Sequence, residues 1–270
     1  MYKIMASDLD GTLLTSDHKI LPFTQKTLTQ LHQQGKEFAF ATGRHHIDVG
    51  QMREQLGIPA YMITSNGACI HNSENELVFQ QNLSADVISQ VINSVKNDPQ
   101  ININIYRHDD WLANKIDEKT LCGHANFPCS LFDINNPPLE NVSKIFLTHQ
   151  QQDHENLAGW EEKLKTQLSD FAHVTFSSPS CLEIMDSGVS KGNALEAIAK
   201  LKGVTLQDCI AFGDGMNDVE MLTMAGKGIV MGTSHYRVKN ALPTLEVIGN
   251  SDDQAVAHYL TEHLLLVEAS

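Results

Sequence analysis

Asp8 and Asp10 stand two residues apart, after the mostly apolar run of residues 2–6 and just before Gly11. Such a run reads as a short buried strand, and strand side chains alternate between faces. Both acids can then project to one side of the strand's carboxyl end, with Leu9 on the other. Carboxylates this close repel, so the pair persists only where a cation neutralises it or a proton is shared. Oxygen donors of this type suit Mg²⁺. Taken alone, Asp-Gly is a common turn dipeptide and the stretch would be a surface turn. Its meaning depends on what the rest of the chain brings to it.

The elements that must position the two acids follow from the pattern around them. Residues 22–34 have helix character with a stop at Gly35, and 37–41 form a strand running into Thr42-Gly43-Arg44. A helix over 47–56 ends at Gly57, and the short strand 61–64 is closed by Ser65-Asn66-Gly67. The same rhythm resumes at Ser190: a helix to residue 202, a strand at 209–212 running into Gly213-Asp214-Gly215-Met216-Asn217-Asp218, strands near 228–231 and 246–248, and a helix over 252–265. Alternating strands and helices predict an α/β fold, a Rossmann-like doubly wound parallel sheet with its site at the carboxyl ends of the strands. Asp8 and Thr42 both fall at such ends.

Between these halves the pattern changes. Residues 68–71 and 77–79 read as a hairpin, 84–97 as a helix capped by Ser84, and 101–105 as a strand with Ile101, Ile103 and Ile105 on one face. A strand at 142–148, a helix at 156–168 and a strand pair at 174–177 and 181–185 complete an α+β insert, expected to leave one side of its sheet exposed. The predicted organisation is a discontinuous core, residues 1–82 and 185–270, with a cap at 83–184.

Composition sets further limits. The 270 residues carry 19 Lys+Arg against 33 Asp+Glu, a formal charge of −14, which repels nucleic acid and anionic lipid alike. Five cysteines without a CxxC pair suggest free thiols in a reducing compartment. The first 14 residues lack the apolar core of a signal peptide, and no later run is long enough to span a bilayer, so a cytoplasmic location is expected. The apolar tail Leu264-Leu265-Leu266-Val267 could cover the core or a partner.

If the sheet forms as predicted, four stretches converge: the Asp8/Asp10 turn, Thr42-Gly43-Arg44, Lys191, and Asp214 with Asn217-Asp218. Each has a plain structural explanation alone; in this order they are specific. With Ser65-Asn66-Gly67-Ala68 and Gly188-Val189-Ser190-Lys191-Gly192, the chain resembles the haloacid dehalogenase (HAD) phosphatases, in the Cof-type subgroup with a large cap inserted after the third strand. Arg44-His45-His46 with Asp48-Val49-Gly50-Gln51 makes it most similar to the bacterial pyridoxal phosphate and sugar phosphatases of that family.

The resemblance implies an enzyme, a Mg²⁺-dependent phosphomonoesterase acting on small phosphorylated metabolites through an aspartyl-phosphate. It makes Asp8 the nucleophile and Asp10 the acid and base, with Mg²⁺ held by Asp8, Asp214 and the backbone carbonyl at Asp10. Phosphate would be bound at Leu9, Thr42, Gly43, Lys191 and Asn217, with Asp218 orienting Lys191 or metal waters. Arg44 reaches the substrate or pairs with a nearby acid, and His45 and His46 adjoin it in helix-start or substrate roles. The cap would contact the rest of the substrate, with Tyr106, Arg107, His108, Asp109 and Trp111 as specificity candidates or simply an exposed cap edge. Two alternatives stay open: a phosphomutase of the same superfamily and a phosphoacceptor signalling domain.

Overall fold

The computed structural model describes residues 2–116 and 127–265. Cys122 and the end of the apolar tail, Leu266-Val267, lie outside the described residues; Leu264 is buried in the core beneath the larger sheet. Five strands come first: β1 (Ile4–Asp8), β2 (Glu37–Ala41), β3 (Tyr61–Thr64), β4 (Cys69–His71) and β5 (Leu77–Gln80). Six follow: β6 (Ile101–Arg107), β7 (Asp110–Ala113), β8 (Cys129–Leu131), β9 (Val142–His149), β10 (Ala172–Ser178) and β11 (Cys181–Asp186). The last three are β12 (Cys209–Gly213), β13 (Lys227–Val230) and β14 (Glu246–Val247).

The first and last groups make one eight-stranded sheet in the order β14-β13-β12-β1-β2-β3-β4-β5. Pairing is parallel from β14 to β3, and the β4–β5 hairpin adds two antiparallel strands at one edge. All five residues of β1 are buried, as a central strand covered on both faces requires. Met5, Phe38, Phe40 and Phe212 pack on one face with Leu28 and Leu31 of the helix Pro22–Gln33. Ile4, Ala6, Ala39 and Ala211 face the helix Lys191–Leu201 on the other. This is the predicted doubly wound α/β sheet. The chain runs from β1 to β2 and β3 on one side of β1 and returns on its other side at β12, so the order of strands reverses at the carboxyl end of β1.

The middle group forms a six-stranded sheet in the order β10-β11-β9-β6-β7-β8. Its apolar face, with Ile101, Ile103, Ile105, Ile145, Leu147, Leu182 and Ile184, packs on the helices Ala85–Val95 and His154–Leu168. Ser84 and Asp153 cap those helices by accepting from Val87 N and Asn156 N. The expectation of an exposed second face is corrected: Asn102, Asn104, Lys144 and Glu183 on that face are each at most 5 % exposed. They are covered because aromatic side chains, Tyr106, Trp111, Phe127 and Phe146, close over part of the face and loops at the carboxyl ends of the other sheet's strands close over the rest.

Two further differences are local. The helix expected at 47–56 begins at Gly50, after a turn in which Val49 N and Gly50 N bond back to His45 and Ile47. Strands β7 and β8 were not foreseen, so 106–111 is a hairpin with His108 in the left-handed region at φ 48°, and not a loop leaving a strand.

Candidate active site

Asp8 is the last residue of β1 and is almost wholly buried. Lys191 stands at the first turn of its helix, where the Ser190 hydroxyl accepts from Asn193 N at 3.1 Å and fixes the helix start. Its ammonium is fully buried and donates to Asp8 Oδ1 at 2.6 Å and to Asp218 Oδ1 at 2.7 Å. The other oxygen of Asp218 accepts from Asp214 N at 2.9 Å and Gly215 N at 2.8 Å, so one side chain ties the loop after β12 to the lysine. Asp214 in turn accepts from the Thr12 hydroxyl at 2.9 Å. Gly11, at φ 79°, has to lack a side chain: a Cβ there would lie 2.6 Å from Asp214 Oδ2.

Asp8, Asp214 and Asp218 each offer one carboxylate oxygen, and these atoms lie within 4.8 Å of one another. One ammonium offsets three acids. Burial raises the Asp8 carboxyl well above its ordinary range, against the pull of Lys191, with Asp218, Asp214 and Asp10 adding to the rise. Burial and Asp218 push Asp214 up to about 6. Lys191 stays protonated, since the two carboxylates outweigh its desolvation. A buried donor set made of oxygens, with an excess of negative charge, fits a small hard divalent cation.

The Asp10 carboxylate does not belong to this group. Arg44 holds it through both oxygens, Nε to Oδ2 at 2.7 Å and Nη2 to Oδ1 at 2.6 Å, while His18 Nδ1 lies 2.9 Å from Oδ1. Arg44 also pairs with Asp48 at 3.3 Å, so of the two roles open to it the structure gives pairing with nearby acids. Thr42 is buried, its hydroxyl accepting from Arg44 N at 3.1 Å. The Leu9 side chain is in the core, and its carbonyl accepts from the amides of Thr12, Leu13 and Leu14. Asn217 donates its amide to Asn66 Oδ1 at 3.0 Å.

These residues surround a cleft of about 330 Å³ lined by Asp8, Asp10, Thr42, Gly43, Arg44, Asp214 and Asn217 from one side and Tyr106, Lys144, Phe146, Cys181 and Glu183 from the other. Of the predicted specificity residues only Tyr106 lines it. Trp111 lies behind, its indole donating to Asn104 Oδ1 at 3.1 Å. Arg107 donates to the carbonyl of Glu140, and Asp109, on the exposed turn, sits 3.2 Å from His46. His45 is buried, donates from Nε2 to the carbonyl of His108 at 2.7 Å and stacks on Phe127, and burial drives it down to about 4. Neutral near pH 7, it joins the two sheets without contributing charge. Lys144, Glu183 and the hub role of Asn66 were missed, although a Lys and a Glu inside otherwise apolar strands are a readable signal.

Residues 5–260 match the haloacid dehalogenase-like hydrolase family. The chain belongs to that family. An HMP-PP phosphatase from Cronobacter sakazakii is 41% identical over 266 residues, covering 98% of this chain and 96% of its own. A putative phosphatase of Buchnera aphidicola subsp. Baizongia pistaciae is 37% identical over 264 residues, covering 97% and 98%. A haloacid dehalogenase-like hydrolase from B. subtilis superposes with a TM-score of 0.84 at 25% identity over 97% of this chain and 99% of that one. The protein is thus a HAD-type phosphatase built on an α/β fold. No helix among the described residues is long and apolar enough to cross a membrane.

Proposed function

We propose that the protein is a Mg²⁺-dependent phosphomonoesterase of small phosphorylated metabolites. The observation that carries this is the contact of the buried Lys191 with both Asp8 and Asp218, beside Asp214, in one cluster at the end of β1. Residues 1–82 and 185–270 form the catalytic core and 83–184 the cap. In the first step an oxygen of Asp8 attacks phosphorus in line, the bond from phosphorus to the ester oxygen breaks, and Asp10 gives that oxygen a proton. In the second, water attacks the aspartyl-phosphate, Asp10 takes a proton from it, and orthophosphate leaves with Asp8 regenerated.

Lys191, Thr42, the Gly43 and Leu9 amides and Asn217 bind the phosphoryl oxygens and oppose their charge as it redistributes. Asp218 orients Lys191 and the Asp214 loop. Mg²⁺, held by Asp8, Asp214 and the backbone carbonyl at Asp10, would screen the acid from the anionic substrate. The cleft has room for a phosphate ester of one ring, so pyridoxal phosphate and hexose phosphates are the substrates to try first, together with the substrate of the HMP-PP phosphatase relatives. A cytoplasmic location, with neither nucleic acid nor a membrane as partner, is supported by charge and composition.

The test is orthophosphate release from p-nitrophenyl phosphate with and without Mg²⁺. The parent should turn over only with the metal, and Asp8→Asn should be inactive. Asp10→Asn should retain phosphate binding while losing turnover. Hydrolysis by Asp8→Asn at the parent rate would remove Asp8 as nucleophile.

A further inference from the structure

Lys144 on β9 and Glu183 on β11 form an ion pair, Nζ to Oε1 at 2.5 Å, with each side chain 3% exposed. Both project from the polar face of the six-stranded sheet, and both bond across to the other sheet. Lys144 donates to the carbonyl of Gly43, and Glu183 Oε2 accepts from the amide of Asn66. Asn66 then accepts from Asn217 through its own carbonyl oxygen at 3.0 Å. The rings of Tyr106 and Phe146 lie 4.8 and 5.0 Å from the ammonium and hold it over the Gly43 turn.

The local backbone is shaped around this contact. A Cβ on Gly43 would stand 3.1 Å from Glu183 Oε1 and 3.1 Å from Asn66 Oδ1, tighter than ordinary packing. Asn66 sits in the left-handed region at φ 58°, a conformation Asn tolerates better than most residues. Stability does not account for the pair, because burying two charges costs about as much as their attraction returns, and an apolar pair would hold the sheets together as well. Its outward bonds do account for it: one ends on the Gly43 turn and the other on Asn66, which holds Asn217 in turn.

We propose that Lys144 and Glu183 are positioning residues that clamp the two loops of the phosphate cradle, the Gly43 turn directly and the Asn217 loop through Asn66. The cradle then reaches its binding geometry only when the two sheets are docked. This deepens the phosphatase reading and rests on it for the identity of the anion.

The test compares Lys144→Met, Glu183→Gln, the double variant, and Asn66→Gly, which keeps the left-handed backbone and removes the bridge from Glu183 to Asn217 together with a weak contact to Met185 Sδ. The measurements are kcat and KM for p-nitrophenyl phosphate, orthophosphate Kd by calorimetry, and the thermal midpoint. Lys144→Met should lose about 10- to 100-fold in kcat/KM, and Glu183→Gln about 3- to 10-fold, the scale of a lost bond to a charged group. The double variant has no buried charge left over and should melt near the parent, yet remain at least about ten-fold impaired in both kcat/KM and orthophosphate affinity. Asn66→Gly should weaken orthophosphate about five-fold or more with both charges still paired. Recovery of parent kinetics in the double variant would show that the pair only balances its own charge and would overturn the proposal, as would parent affinity in Asn66→Gly. A parent inert toward every phosphate ester would defeat the phosphatase reading separately, since the binding measurements do not depend on turnover.

Discussion

Replacing Asp214 by Asn should stabilise the metal-free protein while destroying its activity. Asn keeps an oxygen to accept from Thr12 and removes one of three acids crowded around a single ammonium. Asp214 is pushed up to about 6, from an ordinary aspartate value of 3.8, by burial first and by Asp218 next. The folded chain therefore binds this proton more tightly than the unfolded chain. Its contribution is fully present below about pH 4 and is lost as the pH rises through about 6. Two units correspond to roughly 3 kcal/mol. For a chain of this size that is a difference of roughly 6–12 °C in the thermal midpoint. With EDTA present, parent and Asp214→Asn should melt together near pH 4, and the variant should melt higher at pH 8. Added Mg²⁺ should raise the parent and move the variant little. A variant that melts at or below the parent at pH 8 in EDTA would refute the reasoning, because the crowding of carboxylates would then cost nothing in the folded state.

Arg44→Lys should lower kcat by about ten-fold at pH 7 with little change in the thermal midpoint, because a single ammonium cannot reproduce the two-pronged hold on Asp10. Rates equal to the parent's would mean that the fork is not needed to place Asp10. Trp111→Ala should destabilise by about 3–5 kcal/mol, as for other large aromatic side chains deleted from a packed cluster. Denaturant unfolding measures the loss. The relative rates on pyridoxal phosphate and a hexose phosphate should stay as in the parent, and a change in that ratio would return Trp111 to the substrate site.

The parts of the site that could be read from sequence are those where chemistry and chain punctuation coincide. Asp8, Thr42 and Asp214 each follow an apolar run and have a glycine within three residues, so their position at a strand end was visible. Lys191 was legible through its place at the start of the helix that begins at Ser190. The contribution of the six-stranded sheet was not, because it depends on which face of a strand meets another element. The alternation of Ile101, Ile103 and Ile105 identified a two-faced strand, but water and a second sheet both accept polar groups. Trp111 and Arg107 looked like substrate contacts for the same reason. Once 106–111 folds as a hairpin, one faces the interior of its own sheet and the other its rim. In the sequence Asn66 is part of a turn and nothing more, and its place between Glu183 and Asn217 depends on partners 117 and 151 residues away.

The order of strands in the larger sheet also constrains how the chain is made. β1 is flanked by β2, its neighbour in sequence, and by β12, which begins at Cys209. The ribosome adds about 200 residues after β1 before that second neighbour exists, and the nascent chain carries a bare apolar strand edge while they are made. The smaller sheet is complete by Asp186 and needs nothing beyond it to pair its strands. Its assembly can therefore run ahead, while Asp8 waits for Lys191 and the loop after β12 to shelter it.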